Sequence, residues 1–339
     1  MLAHSVLRAA GLRRHLARSD PCGVRRHNLG RTRAISVTAV AHDYDEFAMF
    51  HENAEEFGIP YSGPPAVRRV SVPVAGNRDL SALVWGTDPP EIVLLHGGAQ
   101  NAHTWDTVAL ALKRPLVAVD LPGHGHSDHR DDGPFGPRQN AVDVAVALRS
   151  LAPDAGMVVG MSLGGLTAIA LSTHAPELVP KLTLVDVTPG VDRDKAAPIA
   201  QFIAGPDSFE SFDEILQRTI EFNPTRSESS LRRGVLHNAV GRDDGRWVWR
   251  YQRPRILEET EMDIPADFAT LWDDVGQISV PVMLVRGGAT GTVVDDKDEA
   301  ELRKRLPNVR VELVAGAGHS IQGDKPLELA QLLDEFHSS

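Results

Sequence analysis

The chain has 339 residues, 42% of them hydrophobic, with a single cysteine and a formal charge of −11. That length suits one large α/β domain carrying an insertion, and because Cys22 lies near the N-terminus the body can form no internal disulfide and no cysteine metal site. The first 41 residues hold eight arginines and one acid, leaving 27 basic against 45 acidic side chains in residues 42–339, net −18; such a body is not expected to partner nucleic acid or an anionic membrane.

Residues 1–41 read as an Arg-rich leader with three possible origins. It resembles an organelle transit peptide in composition. It is equally what translation from too early a start codon would yield in a G+C-rich gene, which the 29 Arg against 6 Lys suggest. A disordered arm is the third. None involves chemistry. No apolar run approaches the ~20 residues of a membrane-spanning helix, and a reducing, cytoplasmic location is the expectation.

Residues 42–66 mix acids with aromatics and end in a Pro/Gly cluster, which predicts a short helix and a linker. The α/β core then opens at residue 67. Two strands, 67–74 and 80–85, flank Ala75-Gly76-Asn77 as a hairpin, and the apolar run 91–95 reads as a buried parallel strand ending at His96-Gly97-Gly98. Helices near 104–113 and 139–151 alternate with strands at 116–120, 156–161 and 182–187, the rhythm of parallel βαβ units with helices on both faces. That rhythm stops over 191–277, where helical patterns at 212–222 and 229–240 precede Trp247-Val248-Trp249-Arg250-Tyr251, as expected of a helical cap inserted after the sixth strand. It resumes over 278–339 with a strand at 280–285, a helix at 296–306, a strand at 309–314 and a final helix at 326–336. The core is thus split, 67–190 and 278–339, around one insertion.

The chemistry concentrates at Met157 to Leu171. This apolar run breaks at Gly160-Met161-Ser162-Leu163-Gly164-Gly165 and resumes as an apolar helix. Gly-x-Ser-x-Gly is the nucleophile elbow, in which small residues flank a serine held on a strained strand-to-helix turn. A serine nucleophile needs a base within hydrogen-bond reach and amide donors for the oxyanion. His319, in the Gly316-Ala317-Gly318-His319 loop after the last strand, is placed to reach over the sheet's carboxyl edge toward Ser162.

Together the His96-Gly97-Gly98 loop, the Asp120 to Ser127 run, the elbow and Gly318-His319 resemble the α/β-hydrolase fold over residues 67–339. The resemblance implies a mostly parallel eight-stranded sheet and an oxyanion hole formed by the amides of Leu163 and of Gly98 or its neighbour Ala99. It also implies that His96, His124 and His126 hold loops, with no metal and no cofactor. Ala99, His103, Met161 and Trp249 are expected to shape the pocket, with Trp247 in the cap core or roof.

The pattern departs at the acid. Relatives carry it shortly after the penultimate strand, where this chain has Thr290 and Gly291. Asp186, after the sixth strand, matches an alternative acid position of pancreatic-lipase-like members. Asp295 and Asp296 are the other candidates, although they read more naturally as the N-cap and first turn of the following helix.

These features point to a serine hydrolase that cleaves an ester-like bond of a small molecule through an acyl-enzyme. Carbon–carbon bond hydrolysis or lactone opening on the same scaffold is the alternative; a substrate carboxylate would then need an inward cation such as Arg250 or Arg253. A non-catalytic small-ligand binding protein of the same fold is the alternative of another class.

Overall fold

A computed structural model describes residues 44–130, 136–191, 193–252 and 267–339. The leader and Arg253 lie outside the described residues. The main sheet has eight strands in the order β1 (Val67–Val74), β2 (Arg78–Trp85), β4 (Leu116–Val119), β3 (Ile92–Leu95), β5 (Met157–Met161), β6 (Leu182–Val185), β9 (Val282–Gly287) and β10 (Arg310–Val314). β1 and β2 pair antiparallel, as do β2 and β4, and every other neighbouring pair is parallel. The hairpin closes because Gly76 and Asn77 take φ of 80° and 54°, which these two residue types tolerate.

β3 to β6 are buried along their whole length, as their continuous apolar runs require of parallel strands covered on both faces. One face packs against α3 (Pro137–Leu151) and α4 (Leu163–His174) through Val144, Leu148, Ile169 and Leu171. The other packs against α1 (Phe50–Phe57), α2 (Asp106–Leu112) and α11 (Pro326–Ser338) through Phe50, Trp105, Val108, Leu329 and Leu333. The sixth strand stops at Val185, earlier than its apolar run suggests, because Asp186 turns to a φ of 46° that cannot continue a ladder.

Between β6 and β9 lie α5 (Arg193–Ile203), α6 (Phe212–Phe222), α7 (Glu228–Asn238), the hairpin β7 (Ala239–Gly241) with β8 (Trp247–Trp249), and α8 (Asp267–Val275). The inserted segment is therefore not wholly helical. α7 ends at Asn238 rather than near residue 240, because Trp247-Val248-Trp249 alternates as a strand does and pairs back on Ala239–Gly241. Phe209, Ile215, Leu216, Leu231 and Val235 give this segment a small core of its own. The chain ends with α9 (Asp296–Arg305), the short α10 (Ile321–Asp324) and α11. No helix among the described residues is long and apolar enough to cross a membrane.

A buried polar chain joins the N-terminal segment, the core and the insertion. Asp120, fully buried at the end of β4, accepts from Ala102 N (2.7 Å), His126 N (3.0 Å) and Arg69 Nη1 (2.7 Å). Arg69 also pairs with Glu46, whose Oε2 lies 3.0 Å from His103 Nε2, and the other nitrogen of that ring lies 2.9 Å from Asp106 Oδ2. His237, from α7, stacks on His103 and sits 2.6 Å from the Tyr44 hydroxyl. His103, Asp106 and His237 offer three ligand atoms close together, but the two rings lie face to face, centroids 3.8 Å and planes 10° apart. Their in-plane lone pairs run side by side and do not converge as a bound cation requires.

Burial opposes charge on His103, yet the Asp106 carboxylate and hydrogen bonds to Asp106 and Glu46 outweigh it and raise its pKa to about 9. Burial, helped by His96, lowers that of His124 to about 3, and burial, helped by Arg69 and Arg250, lowers that of His126 to about 4. The raised group stabilises the fold below pH ~6.5 and loses that contribution as pH rises toward 9; the two lowered ones do the reverse, costing stability as pH falls from ~6.5 toward 4. Thermal unfolding across pH 4–10 is expected to peak near neutrality, with His103→Gln flattening the alkaline limb and leaving the acid limb in place. The elbow predicts a further stability effect. A Cβ on Gly164 would stand 2.3 Å from Leu95 O, a backbone atom that cannot move aside. Gly164→Ala is expected to cost about 3 kcal/mol in denaturant melts.

Candidate active site

The strand-to-helix corner between β5 and α4 sets Ser162 at φ 50° and ψ −120°, a backbone strained for any side chain. Glycine makes this corner possible: a Cβ at Gly160 would meet Gly164 O at 2.4 Å, and one at Gly165 would meet the Val187 side chain at 2.4 Å. With small residues there, β5 and α4 close tightly and the serine is raised out of the core, half-buried and facing a cavity.

His319 enters the same cavity from the loop between β10 and α10. Its Nδ1 lies 2.9 Å from Asp186 Oδ2. Asp186 is fully buried at the end of β6 and accepts three further hydrogen bonds, from Gly287 N (3.1 Å), Val293 N (3.0 Å) and the Thr292 hydroxyl. Two of these donors come from the loop after β9, the stretch expected to carry the acid. That loop has no acid at Thr290 or Gly291, but it orients the carboxylate that β6 supplies, and both residues line the cavity.

The other two candidate acids have different partners. Asp295 caps α9 by accepting from Asp298 N at 2.9 Å and pairs with Lys195 at 2.7 Å, so that its pKa falls to about 2 through the hydrogen bonds from Lys195 and the Asp298 amide. Asp296 stands in the first turn of α9, almost wholly exposed, and pairs with Arg286 at 3.0 Å.

Two stretches of backbone border the serine. Leu163 opens α4, so its N–H has no acceptor within the helix and carries the positive end of the helix dipole. Across from it the Gly97–Gln100 loop packs onto the elbow, where a Cβ at Gly97 would come within 3.2 Å of Ser162 Cβ. Ala99 takes φ of 58°, and its carbonyl accepts from Asn238 Nδ2 at 2.6 Å. Asn238 also receives Asn101 Nδ2 at 3.2 Å, so the last residue of α7 holds the loop that carries Gly98 and Ala99. No motif marks Asn238 in the sequence, because its partner is a backbone carbonyl 139 residues away.

The cavity has a volume of about 480 Å³, within the range of small-molecule sites. Ala99, His103, Met161 and Trp249 all contribute to its wall. His103 does so as a cation held between Asp106 and Glu46. Trp247 packs edge-on against Phe212 in the insertion's own core. His96 holds a loop: its Nε2 accepts from Leu121 N at 2.9 Å, which puts the proton on Nδ1, 2.7 Å from Gly97 O. Arg250 does not line the cavity; its Nε donates to Ala239 O at 3.2 Å and its guanidinium lies over the Tyr44 ring.

The model of the alpha/beta hydrolase family matches residues 92–332. The chain is 48% identical over 297 residues to esterase Rv0045c of Mycobacterium tuberculosis, a match covering 85% of this chain and 94% of that protein. The crystal structure of that esterase superposes with a TM-score of 0.75 at 47% identity, covering 88% of this chain and all of the other. A more distant relative, the sn-1-specific diacylglycerol lipase ABHD11 of mouse, is 26% identical over 261 residues, 73% of this chain and 80% of that protein. E-2-(acetamidomethylene)succinate hydrolase shares the fold with a TM-score of 0.67 at 22% identity, over 80% of this chain and all of the other. With its elbow, its parallel sheet and an esterase relative matched along nearly its whole length, the chain belongs to the alpha/beta hydrolase family and is an ester-hydrolysing enzyme.

Proposed function

We propose that the enzyme cleaves small-molecule esters by a two-step acyl transfer in which Ser162 is the nucleophile, His319 the general base and Asp186 the orienting acid. The observation that carries this reading is the 2.9 Å approach of His319 Nδ1 to Asp186 Oδ2 in the cavity that Ser162 faces. With Nδ1–H donated to Asp186, Nε2 keeps its lone pair and takes the serine proton as Oγ attacks the ester carbonyl. The amides of Leu163 and of Gly98 or Ala99 receive the oxyanion. His319 then returns the proton to the leaving alcohol. In the second half water gives a proton to Nε2 and attacks the acyl-enzyme, and Ser162 leaves with that proton as the acid is released. No step calls on a metal or a cofactor.

Ser162→Ala is expected to abolish both fluorophosphonate labelling and hydrolysis of short p-nitrophenyl esters; labelling retained in that variant would overturn the nucleophile. For the acid, Asp186→Asn is expected to lower kcat by about 10³–10⁴-fold, because the amide no longer holds the imidazole in the required tautomer. Asp295→Asn should leave kcat within about twofold, since asparagine is also a good N-cap. The reverse ranking of these two variants in kcat would transfer the role to Asp295.

A further inference from the structure

Besides His103, held between Asp106 and Glu46, three cations line the cavity: Lys195, Arg226 and Arg233. Lys195 pairs with Asp295 and Asp298, both at 2.7 Å, and Arg233 with Glu56 and Glu52. Arg226 differs. Its Nη2 donates to Ser230 Oγ at 2.7 Å, its Nε is buried without a partner, and among the described residues no carboxylate lies within ion-pairing distance of it. The guanidinium rests on Gly323, where a Cβ would stand 2.8 Å from Cζ and 3.0 Å from Nε and Nη1. Gly323 belongs to α10, the helix that starts two residues after His319, so the charge is held beside the segment that carries the proposed base. Burial lowers the pKa of Arg226, with Asp324 and Glu56 opposing from a distance. Asp324, which also lines the cavity, accepts Gly318 N at 2.8 Å through Oδ2.

A guanidinium that lines a cavity and lacks a counter-ion is a recognition element for an oxyanion. Its setting selects the class. One guanidinium beside one hydroxyl matches a single negative charge, because Lys195, Arg233 and His103 in the same cavity already have carboxylate partners and leave the second charge of a phosphate monoester dianion unbalanced. One stretch of the wall is apolar, with Ile199, Phe202, Ile203 and Phe222, which suits methylene groups. We propose that Arg226 anchors a carboxylate at the far end of the substrate, so that the preferred esters are half-esters of dicarboxylic acids joined by an apolar spacer. This rests on the ester-cleaving reaction proposed above.

The test compares kcat/KM for monoethyl adipate and ethyl hexanoate, matched in chain length, by proton NMR on the full chain. Wild type is expected to prefer the half-ester. Arg226→Gln is expected to lower that preference by about tenfold or more, mainly through KM of the half-ester, with Arg226→Lys keeping part of it. Gly323→Ala reaches the same point without touching Arg226, because a methyl there displaces the guanidinium, and it is expected to lower the preference as well. No preference in wild type, or an equal loss on both esters in Arg226→Gln, would overturn the proposal and make Arg226 a packing residue. If wild type cleaves neither ester and Ser162 does not label, the reaction itself fails, and calorimetric titration of adipate then decides the anchor alone. Binding in wild type that is lost in Arg226→Gln supports it; binding in both, or in neither, overturns it.

Discussion

The site depends on one buried carboxylate. Asp186 stands at the end of β6 with no exposure to solvent, and both of its oxygens are occupied: His319 Nδ1 and Val293 N on one, Gly287 N and the Thr292 hydroxyl on the other. A carboxylate left unpaired at that depth would be costly, and four donors remove the penalty while leaving it a single orientation. The donors come from β9, from the loop after it and from the loop after β10, so folding the second half of the core around the first creates the setting in which His319 is held.

Some of this was legible in the residues and some was not. Ser162 stands out because its strained backbone needs small neighbours and so leaves glycines beside it in sequence, and His319 because it ends a glycine-rich loop after the last strand. The parallel sheet is equally plain, since strands covered on both faces must be continuously apolar. Asp186 could be proposed but not chosen from the residues alone, because an acid that only has to reach a histidine leaves no local mark, and chain order allowed Asp295 and Asp296 as well. What separates them is where each aspartate finds its partners: backbone amides and a histidine for Asp186, a helix N-terminus and Lys195 for Asp295, Arg286 for Asp296.

The insertion was the least legible part. Its position between β6 and β9 follows from the loss of strand rhythm, but the β7–β8 hairpin hides in three-residue strands too short to show periodicity. Asn238 and Arg226 were invisible for a related reason. One acts on a distant carbonyl, the other is defined by the absence of a counter-ion, and neither relation has a spacing. The buried chain from Arg69 through His103 to His237 shows how tightly such a segment is nonetheless tied in, since the insertion places an uncharged imidazole face to face with a charged one.

The loop after β9 offers a view of how such an enzyme diversifies. In the arrangement proposed for Asp186, this loop is relieved of supplying the acid and keeps only the duty of holding it, through one amide and one hydroxyl. Thr290 and Gly291, next to those two donors, are left to face the cavity. Mutation there can remodel the wall against the substrate while the proton-handling groups stay where β5, β6 and the loop after β10 put them. Selectivity and chemistry are thereby assigned to different stretches of chain, and one can drift under selection without dragging the other with it.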